Sequence, residues 1–408
     1  MTDLLQRLHE QKFLKEDRVP ILSMMIGSHA IDILPPSFNL SAQIAMTVLY
    51  QVCIAHILGI VTYYLIVKSE NVNTKQLIAY GIVIPALLYL PFPYIEFFDI
   101  RGQCLRLCLV AVPITSTLKC LEAMYGFAPD NVTSTLSDFL KHFSFIHYPK
   151  IDNGSKKMVS TSVTSIANSA LHHIKYTLAY GFLFSILKPY EFEPFPSKHQ
   201  STDFFVAITV KDLLNNFVAA MTLSFMLAFT MNGVGIIIQA IGGFETEAIV
   251  DNPMLASISP SDFWGRRWNL LIHRGLKQGI YKPNRYITGS RNFSTFITFL
   301  VSGLLHEYVW AVLFLRNSRE PNRYIPPHGK NILFFGWNGC LLLIEHLVGR
   351  VRWNQLVGSK PRLLVGLLVV MTALPIGHLF TGDMIRGGFF DSLIPLFPMI
   401  VVNRDEYQ

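Results

Sequence analysis

Charge is scarce in this chain. Asp, Glu, Lys and Arg together make 15% of its 408 residues, where a soluble protein carries about a quarter. That shortage excludes an ordinary solvated surface over most of the length. Cysteine is also sparse. Cys53, Cys104, Cys108, Cys120 and Cys340 form an odd, scattered set without a CxxC pair, which speaks against a disulfide framework or a cysteine zinc site and for buried free thiols. The first twenty residues, MTDLLQRLHEQKFLKEDRVP, lack the apolar core of a signal peptide, so the first membrane helix is expected to direct insertion. No internal repeat of fixed period is visible, an argument against inverted-repeat transporters.

Apolar residues are abundant instead: 51% of the chain, with 30 Phe and 16 Tyr. A spanning helix needs about 20 predominantly apolar residues. Candidates lie near 41–67, 76–99, 104–122, 165–187, 204–228, 230–244, 293–315, 331–348, 362–380 and 387–402. Several are short or interrupted, so about eight or nine true spans are expected, in an all-α polytopic membrane protein. The organisation expected is a polar N-terminal arm, 1–36, followed by a single membrane domain, 37–408. The net charge of +7 falls mostly between the apolar segments, as cations do near lipid headgroups. Membrane lipids are the partner this implies, not nucleic acid.

One loop is not lipid-like. Residues 252–285 read NPMLASISPSDFWGRRWNLLIHRGLKQGIYKPNR. Ser259 and Pro260 suit a helix start, and Gly279 and Pro283 its end, predicting a helix of about five turns over 260–278. On it Arg266, Asn269, His273 and Lys277 share one side, while Trp264, Trp268, Leu271 and Ile272 fall on or near the other. From 252 to 292 seven basic residues face one acidic residue, Asp262. Two readings stay open. One is an interfacial anchor with tryptophans at headgroup level. The other is a landing site for an anionic substrate such as coenzyme A, with Arg266, Arg267, Arg274 and Lys277 for its phosphates and His273, Trp264 and Trp268 beside them. Neither explains Asn269.

The stretch LVSGLLHEYVWAVLFL, 300–315, places His306 and Glu307 within an apolar helix. His306 lies about 20 Å along a helix that starts at 293, deep in a hydrocarbon layer of about 30 Å. Thr295, Thr298, Ser302 and His306 follow one helical stripe, with Gly303 making room beside it. The pattern predicts a cavity wall, with Thr298, Ser302, Gly303 and Glu307 as lining residues. A zinc protease would need a second histidine where Trp310 stands, and His172–His173 lacks the companions that di-iron oxidases cluster. Two readings of His306 stay open, a core histidine satisfied by a neighbouring helix and a single deep base suited to moving a proton from a substrate hydroxyl. Other ionisable residues in apolar surroundings, among them Lys119, Glu122, Glu345 and Asp383, keep a proton-coupled transporter open as a rival.

DFWGRRWN at 262–269, IYKP at 280–283 and HEY at 306–308 resemble the wax synthase family of the membrane-bound O-acyltransferase superfamily, and LEAMYG at 121–126 resembles a weaker family feature. The resemblance covers about sixty residues, 252–310. It implies a multi-helix enzyme around an internal reaction tunnel, expected in the endoplasmic reticulum membrane. That enzyme would move an acyl group from acyl-CoA to a lipid alcohol, with His306 as the catalytic histidine and Asn269 as its polar partner. Asn269 would either orient the acceptor or donate to the developing oxyanion. Acyl-CoA is a co-substrate, no cofactor or metal is required, and a homo-oligomer is compatible with it. FWGRRWN also resembles the asparagine-bearing segment of sterol and diacylglycerol acyltransferases, but their upstream tryptophan-rich tract has no counterpart in 244–261. Sterol, terpenoid and diacylglycerol acceptors stay open as alternatives.

Overall fold

The computed structural model describes residues 18–26, 29–152, 154–155, 157–195, 209–316, 323–349 and 360–404. Residues 1–17 of the expected N-terminal arm lie outside the described residues, as do 204–208 of one expected span. Among the described residues six helices are long and apolar enough to cross a membrane. They are α1 (Phe38–Val67), α2 (Val72–Phe97), α3 (Gln103–Met124), α6 (Val210–Gly242), α9 (Arg291–Leu313) and α10 (Lys330–Val348). A seventh crossing exists if α11 (Arg362–Ile376) and α12 (His378–Arg386), which meet at a 68° bend, act as one broken span. The chain is a multi-pass, all-α membrane protein.

The expected eight or nine spans shrink for identifiable reasons. The candidates 204–228 and 230–244 are one helix, α6, capped by a Thr209–Asp212 box at its start and by left-handed Gly243 at its end. Its 33 residues reach about 50 Å, well beyond the hydrocarbon layer. The candidate 165–187 forms the long helix α5 (Val163–Leu187), but His172, His173 and Lys175 keep its apolar density below that of the six. The candidate 387–402 is not a span. It forms a short helix, Phe389–Leu393, and then strand β3 (Met399–Arg404). β3 pairs antiparallel with β2 (His29–Leu34), and β2 with β1 (Leu22–Ile26), a small sheet that hydropathy alone did not announce.

At the centre of the bundle stands α3. Its most apolar stretch is 83% buried inside the protein, against 22–33% for the other spans, so protein packs around it while they leave most of their apolar surface uncovered. Buried Arg106 on α3 donates to the carbonyls of Leu313 (3.2 Å) and Leu315 (2.7 Å), satisfying the end of α9. The antiparallel pair α9–α10 crosses closely because Gly303 and Gly339 carry no side chain. A Cβ on Gly303 would stand 2.8 Å from the Ile332 Cα, and one on Gly339 3.1 Å from the Phe299 Cβ. Gly303 therefore serves helix contact, not the cavity wall expected of it.

Candidate active site

Helix α9 presents His306. Ser290 caps the helix by accepting the Phe293 N–H. The hydroxyl stripe above it turns inward on its own backbone. Thr295 Oγ1 donates to Arg291 O (3.0 Å) and Thr298 Oγ1 to Ser294 O (2.6 Å). Each of those hydroxyls meets its need one helical turn back. Buried Ser302 contributes its carbonyl, which lies 2.7 Å from Nδ1 of half-buried His306. A carbonyl only accepts, so Nδ1 carries the hydrogen and Nε2 of the neutral ring keeps its lone pair. Aromatic rings fix the plane. Phe335 stacks on the imidazole at 4.3 Å, Phe380 meets it edge-on at 5.2 Å and Trp310 stands at 6.4 Å.

Glu307 has a different task. Its Oε1 accepts the Asn331 N–H at 2.9 Å, at the start of α10, and its Oε2 lies 3.8 Å from His328 Nδ1. A carboxylate at a helix N-terminus meets unsatisfied N–H groups and the positive end of the macrodipole. That offsets the cost of a charge in this region, and Glu307 is a cap between two helices where a lining residue was expected.

The five-turn helix expected over 260–278 is broken. Ser259 does accept the Asp262 N–H, and Pro260–Asp262 makes one turn. A wide turn, Phe263–Arg267, follows; Trp268 is extended and Asn269 is left-handed at φ 39°. Asparagine tolerates that conformation better than other side chains. Its Oδ1 accepts the Ile272 N–H at 3.3 Å, starting a new helix, α7 (Leu270–Leu276). The chain then runs through a second wide turn into α8 (Lys282–Thr288), where Pro283 is tolerated in the first turn, and stops at left-handed Gly289. Arg266 and Asn269 consequently share no helical face. Among the described residues no hydrogen bond joins Asn269 and His306.

The break also redistributes the charges. Arg267 Nε donates to buried Asp262 at 2.7 Å, and Arg267 Nη1 to the side chain and carbonyl of Asp251 at 3.2 Å each. Arg274 pairs with Glu247 and lies over the Tyr148 ring at 4.4 Å. Both arginines are therefore braces, not the free phosphate ligands expected, because Glu247 and Asp251, just before the basic stretch 252–292, pair with them. Burial, with a smaller push from Lys277, lowers His273 to about 4, leaving it neutral at pH 7. Arg266 is 68% exposed, with Asp262 only at 3.9 Å, and Lys277 is exposed with no ion pair among the described residues.

The tryptophans point inward. Trp264 Nε1 donates to Asn338 Oδ1 at 3.2 Å, and its ring meets Phe299 and Phe335 at 5.8 Å each. Trp268 stacks on Phe263 at 5.4 Å. Headgroup anchoring and coenzyme contact, both expected of these rings, give way to packing inside the bundle. Phe335 thus joins the two sequence signals, touching Trp264 on one side and His306 on the other. Glu345 on α10 accepts the Ser261 N–H and hydroxyl at 2.7 Å each, pinning the first turn of the motif. Beside it a cleft of about 330 Å³ opens, lined in part by Arg291, Thr295, Glu345 and His346. Sequence reading missed Phe335, Phe380 and Asn338. The Phe334–Phe335 pair on α10 was the one local signal, and an aromatic pair in a span is too common to single out.

Residues 247–335 match the model of the membrane bound O-acyl transferase family. Among curated proteins the chain is 37% identical over 160 residues to a probable long-chain-alcohol O-fatty-acyltransferase 9 of Arabidopsis thaliana, covering 36% of this chain and 43% of that one. It is 33% identical over 162 residues to the probable long-chain-alcohol O-fatty-acyltransferase 3, covering 37% and 43%. It is 28% identical over 189 residues to the acyl-CoA–sterol O-acyltransferase 1 of the same plant, covering 44% and 48%. The matched part spans less than half the length of each of these relatives.

Proposed function

We propose that this chain, which carries the membrane-bound O-acyltransferase pattern over residues 247–335, transfers an acyl group from acyl-CoA to the hydroxyl of a lipid alcohol. The observation that carries the reading is the bond from His306 Nδ1 to Ser302 O, which leaves Nε2 free as a base. Nε2 takes the proton of the acceptor hydroxyl as its oxygen attacks the thioester carbonyl. The tetrahedral intermediate collapses with cleavage of the C–S bond. The proton passes from the imidazolium to the departing thiolate, and an ester and free coenzyme A leave. Asn269 spends its oxygen on the α7 cap, and its amide nitrogen is the donor we assign to the developing oxyanion.

Arg266 and Lys277 are the cations we assign to the coenzyme phosphates, with Arg267 and Arg274 holding the loop that presents them. The acyl chain would run through the bundle interior. A long-chain alcohol is the acceptor suggested by the names of several relatives, and a sterol by another. The endoplasmic reticulum is the membrane this chemistry suits. The test is thiol release from acyl-CoA by the detergent-purified protein, with a long-chain alcohol or a sterol added. The parent protein should release thiol only with acceptor present, and His306→Ala should lose ~10²–10⁴-fold in turnover. Near-normal turnover by the folded His306→Ala protein would overturn the reading.

A further inference from the structure

Two charged contacts converge on the first turn of α10, one from each helix that flanks it. From α9, Glu307 accepts the Asn331 N–H. From α12, Asp383 accepts from Lys330 Nζ at 2.9 Å, both side chains being completely buried. The Tyr324 hydroxyl donates to the same carboxylate oxygen at 2.7 Å, and Arg386 lies over the Tyr324 ring at 4.9 Å. One helical turn further along, each of these helices presents a ring to the imidazole or to its cage. Phe334, four residues from Lys330, stacks at 5.1 Å on Phe380, three residues from Asp383. Phe380 and Phe335 are the two rings closest to His306.

A buried ion pair is weak evidence for stability, because well-packed apolar residues of similar volume often do as well or better. An aromatic contact such as Phe334–Phe380 tolerates sliding; a hydrogen-bonded ion pair does not. We infer that Lys330, Asp383 and Tyr324 are positioning residues: they set the register of α12 against α10 and so hold Phe335 and Phe380 where they fix the plane and direction of the His306 imidazole. None of the three touches the reacting atoms. This inference rests on the reading of His306 as the base, and it matters because a base displaced by about 1 Å can cost ~100-fold in rate.

The experiment replaces the knot by apolar residues in the full-length protein, Lys330→Met, Asp383→Leu and Tyr324→Phe together, which removes both charges of the buried pair at once. The expected result is a thermal midpoint equal to or above the parent's, an unchanged KM for acyl-CoA and a kcat at least tenfold lower. The descending proton dependence of the rate should move as well, since a misdirected imidazole meets a different environment, whereas a mere loss of active molecules would scale every pH equally. Parent kcat with a parent pH profile would overturn the inference. Should the triple variant fail to insert, Asp383→Glu keeps the charge and lengthens the arm by one methylene. A lowered kcat at unchanged KM then supports the register, and parent kcat overturns it. His306→Ala measured alongside separates the two ideas. If it stays active, the base itself is misassigned. If it is inactive while the triple variant turns over normally, only the positioning role falls.

Discussion

Replacing Gly303 by alanine is the smallest change that should disturb the site without touching it. The added Cβ would stand 2.8 Å from the Ile332 Cα and 3.2 Å from the Asn331 carbonyl oxygen, both backbone atoms that no rotamer change can move. Unstrained carbon–carbon contact needs about 3.5–4.0 Å, so α9 and α10 must separate locally by roughly 1 Å. Overpacking of this kind costs about 1–3 kcal/mol, and alanine returns about 1 kcal/mol through helix propensity. The net loss of stability should be roughly 0–2 kcal/mol, a modest fall in thermal midpoint. Activity should suffer more, because His306 is three residues on and its stacking partner Phe335 belongs to the helix being pushed away. A displacement of about 1 Å at a reacting group can cost ~100-fold. Thermal unfolding and thiol release, measured on the same detergent preparation, make the comparison. A Gly303→Ala protein with parent turnover would refute the claim that the α9–α10 contact sets the histidine.

Arg267→Ala strands the buried Asp262 carboxylate and should cost roughly 3 kcal/mol, whereas Arg266→Ala should fall within about 0.5 kcal/mol of the parent; unfolding of both variants checks the contrast. Arg266→Glu should raise KM for acyl-CoA at low salt, with the difference shrinking as salt screens the charge. Unchanged affinity would place the coenzyme elsewhere. Asn269→Gly keeps access to the left-handed conformation and should lose only a few tenths of a kcal/mol as a cap, so a large drop in its turnover would support a chemical role for the amide, and parent turnover would reduce Asn269 to a cap. Burial lowers His147, which bonds Met231 O through Nε2, to about 4. The unfolded chain then binds this proton more readily than the folded protein does, so stability should be level above pH 6.5 and fall between 6.5 and 4. His147→Gln should flatten that fall, as seen by unfolding from pH 7.5 to 5.

What the sequence made legible was local. The α9 helix, its depth-bearing histidine and the motif just before it all follow from hydropathy, helical spacing and a rare octapeptide. What it hid depended on partners far along the chain. Asn269 reads as a helical residue until the Arg267–Asp262–Asp251 brace and the Leu270–Ile249 backbone bond are seen to turn the backbone there. The basic excess looked free because its partners Glu247 and Asp251 precede the basic stretch 252–292 by a few positions. Glu307 looked like cavity chemistry because nothing local shows that a helix begins beside it at Lys330. Strand β2 looked like part of an arm because its second partner, Met399–Arg404, lies far along the chain.

That partner has a consequence in time. Asp32 pairs with Val401, so 401 − 32 = 369 residues separate the two halves of one β-ladder. At about 5–20 residues per second, a ribosome needs roughly 20–75 s to travel from one to the other. During that interval every span has been made, yet β2 still offers an unpaired row of backbone donors and acceptors. Exposed Ile21, Leu22 and Met25 lie beside it. The nascent chain therefore carries an open strand edge from the emergence of β2 until Met399–Arg404 emerge and close it.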